Sequence, residues 1–182
     1  MSTHRVCPWW LAYTFDNPLR SLVHRPARMF NGLVSEGMTV MDVGCGMGYF
    51  SIRLAGIVGP QGKVVAVDLQ QRMLDTLKKR ATKAGVADRI QMRRCEADSL
   101  GVQTAADFIL AFWVVHETPD PHAFFRQIVS LLKPGGKLLV AEPKFHVSAE
   151  HFQEILAVAD RAGLRIAARP SIALSRAAVF SL

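Results

Sequence analysis

The segment Val40-Met41-Asp42-Val43-Gly44-Cys45-Gly46-Met47-Gly48-Tyr49-Phe50-Ser51 sets three alternate glycines between an apolar run and a helical pattern. Residues without side chains let a backbone turn tightly and approach a ligand, whose polar groups then meet amides at the start of the helix. Nicotinamide, flavin and other nucleotide sites all use such a loop, so its neighbours decide what it holds. A dinucleotide loop cradles a pyrophosphate, and its usual spacing wants a glycine where this chain has Tyr49 or Phe50. Here a carboxylate, Asp42, stands at the mouth of the loop, where it repels phosphate and suits an ammonium or sulfonium group. A second acid, Asp68, follows Gly48 by twenty residues at the end of the next apolar run. A carboxylate in that place accepts hydrogen bonds from ribose hydroxyls. The pair therefore specifies a nucleoside that carries positive charge and no phosphate.

Further along, Phe112, Trp113 and His116 follow another apolar run. An aromatic face beside a sulfonium contributes about 0.5–2 kcal/mol of cation-π attraction, although ordinary core packing is the first explanation of Trp113 and Tyr49. His116, with an ordinary pKa of about 6.5, is suited to take a proton from a phenol, an enol or an activated carbon acid. The competing reading of His116 is a histidine that orders its loop through hydrogen bonds.

These residues need a scaffold that brings several strand ends together. Strands are expected at 39–43, 63–68, 90–93, 108–113, 137–142, 165–169 and 177–181, and helices at 49–57, 71–84, 121–132 and 148–162. The first five strands are nearly continuous apolar runs, as strands covered on both faces are. Their alternation with helices implies a doubly wound, mainly parallel sheet. Only residues 170–176 separate the last two strands, too few for a parallel crossover, so these two form an antiparallel hairpin. Residues 1–35 stand apart: Asp16-Asn17-Pro18 and Pro26 read as helix starts, and Trp9, Trp10, Leu11, Tyr13 and Phe15 form an aromatic cluster. They are expected to make a helical cap or lid on residues 36–182, which form the ligand-binding domain.

The composition bounds the rest. A chain of 182 residues that is 50% hydrophobic and 20% charged is one globular domain. Cys7, Cys45 and Cys95 lie 38 and 50 residues apart, which is neither a zinc pattern nor a disulfide framework; a reduced, cytoplasmic protein without a metal is expected. The longest apolar run, 108–115, is far below the roughly 20 residues of a bilayer crossing, so no transmembrane segment is expected. The net charge of +7 favours anionic partners at encounter. Yet Lys78-Lys79-Arg80 with Lys83 reads as a solvated helix face, and no RRM or KH signature is present, which makes nucleic acid the lesser reading of that charge.

With four ordered landmarks, residues 38–182 resemble the class I S-adenosylmethionine-dependent methyltransferases. The landmarks are the loop from Asp42 to Gly48, the acid Asp68, the run Cys95-Glu96-Ala97-Asp98-Ser99-Leu100, and Leu132-Lys133-Pro134-Gly135-Gly136-Lys137. The run Val115-His116-Glu117-Thr118-Pro119-Asp120 is similar to the His-x-x-Pro-Asp region of the branch that includes ubiquinone and menaquinone methyltransferases. The resemblance implies a seven-stranded Rossmann-like α/β sheet with S-adenosyl-L-methionine as methyl donor and S-adenosyl-L-homocysteine as product. It further implies that Gly44, Cys45, Gly46 and Gly48 border the methionine half and that Asp42 holds its ammonium directly or through water. Asp68 would grip the ribose, Leu69 pack on the adenine, Glu96 and the Ala97 amide read the adenine edge, and Phe112 and Trp113 lie near the sulfonium. Glu96 stands where the family usually has Asp.

Absences narrow the acceptor. No Asp-Pro-Pro-Tyr or Asn-Pro-Pro-Tyr and no Pro-Cys pair is present, and the fourth strand ends without the acids of metal-dependent catechol methyltransferases. The resemblance thus implies in-line transfer to oxygen or carbon of a small, hydrophobic or aromatic acceptor, with His116 as the candidate catalytic residue. A tRNA or rRNA methyltransferase, a non-catalytic S-adenosylmethionine-binding module and, last, an NAD-type oxidoreductase are the alternatives. Oligomeric state is left open.

Overall fold

The structure is a computed structural model that describes residues 20–182; the aromatic cluster, Cys7 and the helix start at Asp16 lie outside the described residues. Period-two alternation governs the architecture. Along β1 (Thr39–Val43), Val40 packs into one apolar core while Met41 and Val43 pack into another; along β2 (Lys63–Asp68), Val64 and Ala66 share the first core and Val65 and Val67 the second. A sheet apolar on both faces must be covered on both.

Five further strands complete it: β3 (Ile90–Arg94), β4 (Ala106–Phe112), β5 (Leu132–Pro143), β6 (Arg165–Ala168) and β7 (Ser175–Ser181). Their order is β3-β2-β1-β4-β5-β7-β6. β1 to β5 are parallel, and β7 runs antiparallel between β5 and β6. The doubly wound sheet with its terminal hairpin is as the sequence implies.

The first face is covered by α3 (Tyr49–Val58) and α4 (Gln71–Lys83), with Phe30 and Val34 following the short helices α1 (Arg20–Val23) and α2 (Pro26–Met29). The second is covered by α5 (Pro121–Leu131) and α6 (Ala149–Arg161). Both of the latter start at a capped residue: the Asp120 side chain accepts from the Ala123 amide, and Ser148 from the His151 amide. β1 leads into α3 on one face and β4 leads towards α5 on the other, which opens a crevice at the carboxyl ends of these neighbouring strands.

Between β3 and β4, where no helix is expected, residues 95–105 cross the sheet as a loop, clamped where Gln127 of α5 accepts from the Leu100 amide and donates to the Asp98 carbonyl, both at 2.9 Å. Two of the central strands differ from their expected bounds. β4 stops at Phe112, because Trp113 adopts a left-handed backbone with φ 59°. β5 begins at Leu132, since Ala106 pairs with Leu132 and Phe108 with Lys137, and residues 133–136 bulge between these pairs. The Lys133 ammonium holds that bulge to the Asp107 carboxylate at 2.8 Å.

Gly48 is the tightest point of the frame. Its φ is +86°, and a Cβ there would lie 2.1 Å from Leu77 Cδ1. Gly48→Ala is expected to cost about 2–4 kcal/mol from backbone strain and overpacking together. Urea unfolding checks this, and adding Leu77→Ala should recover no more than the steric share.

Candidate active site

The crevice holds a cavity of about 220 Å³. One wall begins where β1 leaves the sheet: the Gly44 and Cys45 amides both donate to the Val67 carbonyl, at 2.9 and 3.0 Å, which ties the loop to the end of β2. The Asp68 carboxylate completes the tie, Oδ2 accepting from the Gly46 amide and Oδ1 from the Gln70 amide, each at 2.8 Å. Every carboxylate oxygen has capacity for a second donor, so this oriented group can still receive two hydroxyls. Burial pushes its pKa up, opposed by these amide hydrogen bonds. Gly46 has φ +53° and open space on its Cβ side, whereas a Cβ on Gly44 would meet Val114 Cγ2 at 2.7 Å.

Of the residues singled out from sequence, Gly44, Gly46, Asp68, Leu69, Glu96, Ala97 and Trp113 line the cavity. Asp42, Cys45, Gly48, Phe112 and His116 do not line it. Cys45 is buried, with its thiol donating to the Gly46 carbonyl, and Gly48 packs on Leu77. Phe112 belongs to the first-face core, its ring 4.7 Å from that of Phe50. Burial raises the pKa of both described thiols, that of Cys95 to about 11, so neither is a ready nucleophile.

Asp42 shares the face of Val40, because strand residues two apart point the same way. That turns its carboxylate under α3, where Ser51 Oγ donates to it at 2.5 Å. Burial, as the main cause, raises its pKa to about 7 against the hydrogen bond from Ser51 and the charge of Arg20. The Arg20 guanidinium, which sequence reasoning did not single out, lies 4.5 Å from the Tyr49 ring centroid and 5.1 Å from that of Phe50.

The charge of the cavity wall is one-sided. Asp68, Glu96, Asp98, Glu117 and Asp120 line it, and among the described residues no lysine or arginine does. This is an acidic hollow in a chain of net charge +7. Trp113 closes one side: its indole N–H donates to Ser175 Oγ at 2.9 Å, and its ring stacks on Phe112 at 5.2 Å. Beyond it, Glu142 at the end of β5 is fully buried; it accepts from the Val115 amide at 3.0 Å and pairs with His116 Nδ1. Burial pulls the His116 pKa down, but the Glu142 hydrogen bond and the charges of Glu142 and Glu117 outweigh it and leave the pKa raised. Sequence reasoning missed Glu142. A charged residue directly after the apolar run 138–141 was the available signal.

Residues 34–163 match the family model described as "Methyltransferase domain". The chain belongs to that family. It is 33% identical over 138 residues to "Ubiquinone biosynthesis O-methyltransferase" of Xanthomonas axonopodis pv. citri, covering 73% of this chain and 55% of that protein. It is 31% identical over 110 residues to "Demethylmenaquinone methyltransferase" of Lactobacillus johnsonii, covering 60% and 45%. The chain thus spans about half the length of these curated relatives. A SAM-dependent methyltransferase from Aquifex aeolicus shares its fold, with a TM-score of 0.87 at 23% identity over 96% of this chain and 98% of that one.

In this methyltransferase-domain chain the raised pKa of Asp42 has a consequence for stability. The folded state holds the Asp42 proton up to about pH 7, while the unfolded chain releases it at about 3.8, so stability attributable to this group falls as pH rises between those values. Asp42→Asn removes the titration and keeps an acceptor for Ser51. Its melting temperature is expected to equal that of the wild type near pH 4 and to exceed it by at least about 3 °C at pH 8, read by differential scanning calorimetry.

Proposed function

We propose that the chain is an S-adenosylmethionine-dependent methyltransferase that moves a methyl group to oxygen or carbon of a small, hydrophobic or aromatic acceptor. The observation that carries the reading is the cavity wall, to which the described residues give five carboxylates and no basic side chain, at the switch point of the sheet. Such a wall attracts a cationic nucleoside and repels a diphosphate. Its oriented Asp68 suits a vicinal pair of hydroxyls, and the open side of Gly46 leaves room for a ligand to lie against the loop.

When bound, S-adenosylmethionine supplies an electrophilic methyl group on a sulfonium. The protein's work is to hold and align the partners, which is the main source of rate in an in-line displacement. Asp68 accepts from the ribose, Leu69 packs on the base, and Glu96 with the Ala97 amide reads its edge. Asp42, behind the loop, acts on the ligand's positive end through its charge. Trp113 offers an aromatic face on the side where an acceptor would enter. The segment from Arg20 to Ser35 serves as a cover for this end of the sheet, tied down where Tyr49 Oη donates to the His24 carbonyl at 2.7 Å. The partner is a small molecule. No helix among the described residues is long and apolar enough to cross a membrane.

Titration calorimetry tests the reading. S-adenosylmethionine should bind and NAD should not, and Asp68→Asn should weaken the former at least tenfold. Because a cation favours the ionised forms of Asp42 and Asp68, whose pKa values are raised in the free protein, affinity should climb from pH 6 to pH 8 with protons released on binding. Binding of NAD with no binding of S-adenosylmethionine overturns the assignment.

A further inference from the structure

We propose that Glu142 is a positioning residue that fixes the tautomer of His116, and that His116 Nε2 takes the proton of the methyl acceptor. This rests on the methyltransferase reading and narrows it to acceptors that must lose a proton from a hydroxyl or an acidic carbon.

A fully buried carboxylate at the end of a central strand is costly unless donors converge on it. Two do. Oε1 of Glu142 receives the Val115 amide at 3.0 Å, and Oε2 faces Nδ1 of His116. A carboxylate only accepts, so Nδ1 carries the hydrogen, and in the neutral ring the free lone pair falls on Nε2. That nitrogen is 4.0 Å from Glu117 Oε1, and Glu117, with Val114 and Thr118 of the same turn, lines the cavity. On its other side the ring stacks at 6.0 Å against His146, an exposed residue in the segment after β5. The His116 side chain keeps 19% of its surface exposed, and although the ring does not line the cavity, the residues on either side of it, Val115 excepted, do: Val114, Glu117 and Thr118 of the same turn form part of the wall. The groups that face the imidazole are Glu117 on its own turn, Glu142 from β5 and His146 beyond it. A loop clip needs the Val115 contact alone; the second contact gives the imidazole a defined orientation and basicity.

With the sulfonium of S-adenosylmethionine as methyl donor, the acceptor's O–H bond breaks as Nε2 binds its proton, and the oxygen's electron pair forms the bond to the methyl carbon as the methyl–sulfur bond breaks, its pair staying on sulfur in the thioether product; the imidazolium then releases its proton to water.

Glu142→Gln is nearly isosteric. With its carbonyl on the Val115 amide, its NH2 faces Nδ1 and forces the hydrogen onto Nε2, which blocks the base. In nitrogen-15 histidine spectra, assigned with His116→Gln, wild-type His116 should show the Nδ1–H tautomer and titrate above its ordinary value. Glu142→Gln should show the Nε2–H tautomer and titrate at least one pH unit lower. With catechol and methylhydroquinone as hydroxyl probes, kcat should fall at least 30-fold in Glu142→Gln while S-adenosylmethionine affinity holds, and Glu142→Asp should restore part of it. An unchanged tautomer and titration in folded Glu142→Gln overturns the proposal, as does full kcat in His116→Gln or turnover of amine probes alone. Should Glu142→Gln fail to fold, an Nε2–H tautomer in the wild type has the same force. Absence of S-adenosylmethionine binding by the wild type defeats the methyltransferase reading instead, and the spectra still judge the hold of Glu142 on the ring.

Discussion

The Asp68 carboxylate binds two backbone amides at once, and the architecture of the site depends on that bridge. Gly46 belongs to the loop after β1 and Gln70 leads into α4, so one side chain fixes the exit of one strand against the exit of the next. The geometry works only because β1 and β2 are adjacent and parallel, with Asp42 opposite Ala66 and Val43 opposite Val67, which brings both strand ends to one edge. It also needs a loop with φ +69° at Gly44 and +53° at Gly46, values that side chains resist. Strand order, glycine placement and the acid are therefore one constraint expressed three times.

The distribution of charge follows from the same edge. The chain carries 22 basic residues against 15 acidic ones, yet the charged side chains that line the cavity are, among the described residues, all acidic. Lys78, Lys79 and Lys83 lie instead on the solvated side of α4, whose apolar side, Leu74, Leu77 and Ala81, is buried on the sheet. Asp68 and Glu96 are brought to the cavity by β2 and by the loop after β3, Glu117 and Asp120 by the turn that follows β4. A cation entering this hollow meets several carboxylates at short range, where solvent screens them less than on the open surface.

Much of this was legible in the amino-acid order because it depends on local rules. Alternate glycines between an apolar run and a helix, an acid twenty residues on, and seven residues between the last two strands each have one structural reading. What was not legible depends on contacts distant in sequence. Asp42 reads as a residue at the loop's mouth, but strand parity turns it towards Ser51 and beneath α3. Trp113 reads as the last residue of its strand, yet its left-handed backbone swings the ring between Phe112 and Phe145 and puts its N–H on Ser175, sixty-two positions away. The partnership of Glu142 with His116 joins β5 to the turn after β4, and no spacing rule relates them.

The burial of Asp42 also makes the segment that begins at Arg20 electrostatically part of the proposed site. A carboxyl under α3 loses its hydration, and what offsets the loss is hydrogen bonding from Ser51, through its hydroxyl and its amide, and the charge of Arg20 in α1. Arg20 is held over Tyr49 and Phe50, while His24 of the same segment bonds through Nε2 to the Ala173 carbonyl in the hairpin loop at 3.0 Å. Under the proposed function, the segment that begins at Arg20 thus supplies a positive charge that, with Ser51, favours the ionised form of the acid behind the glycine loop.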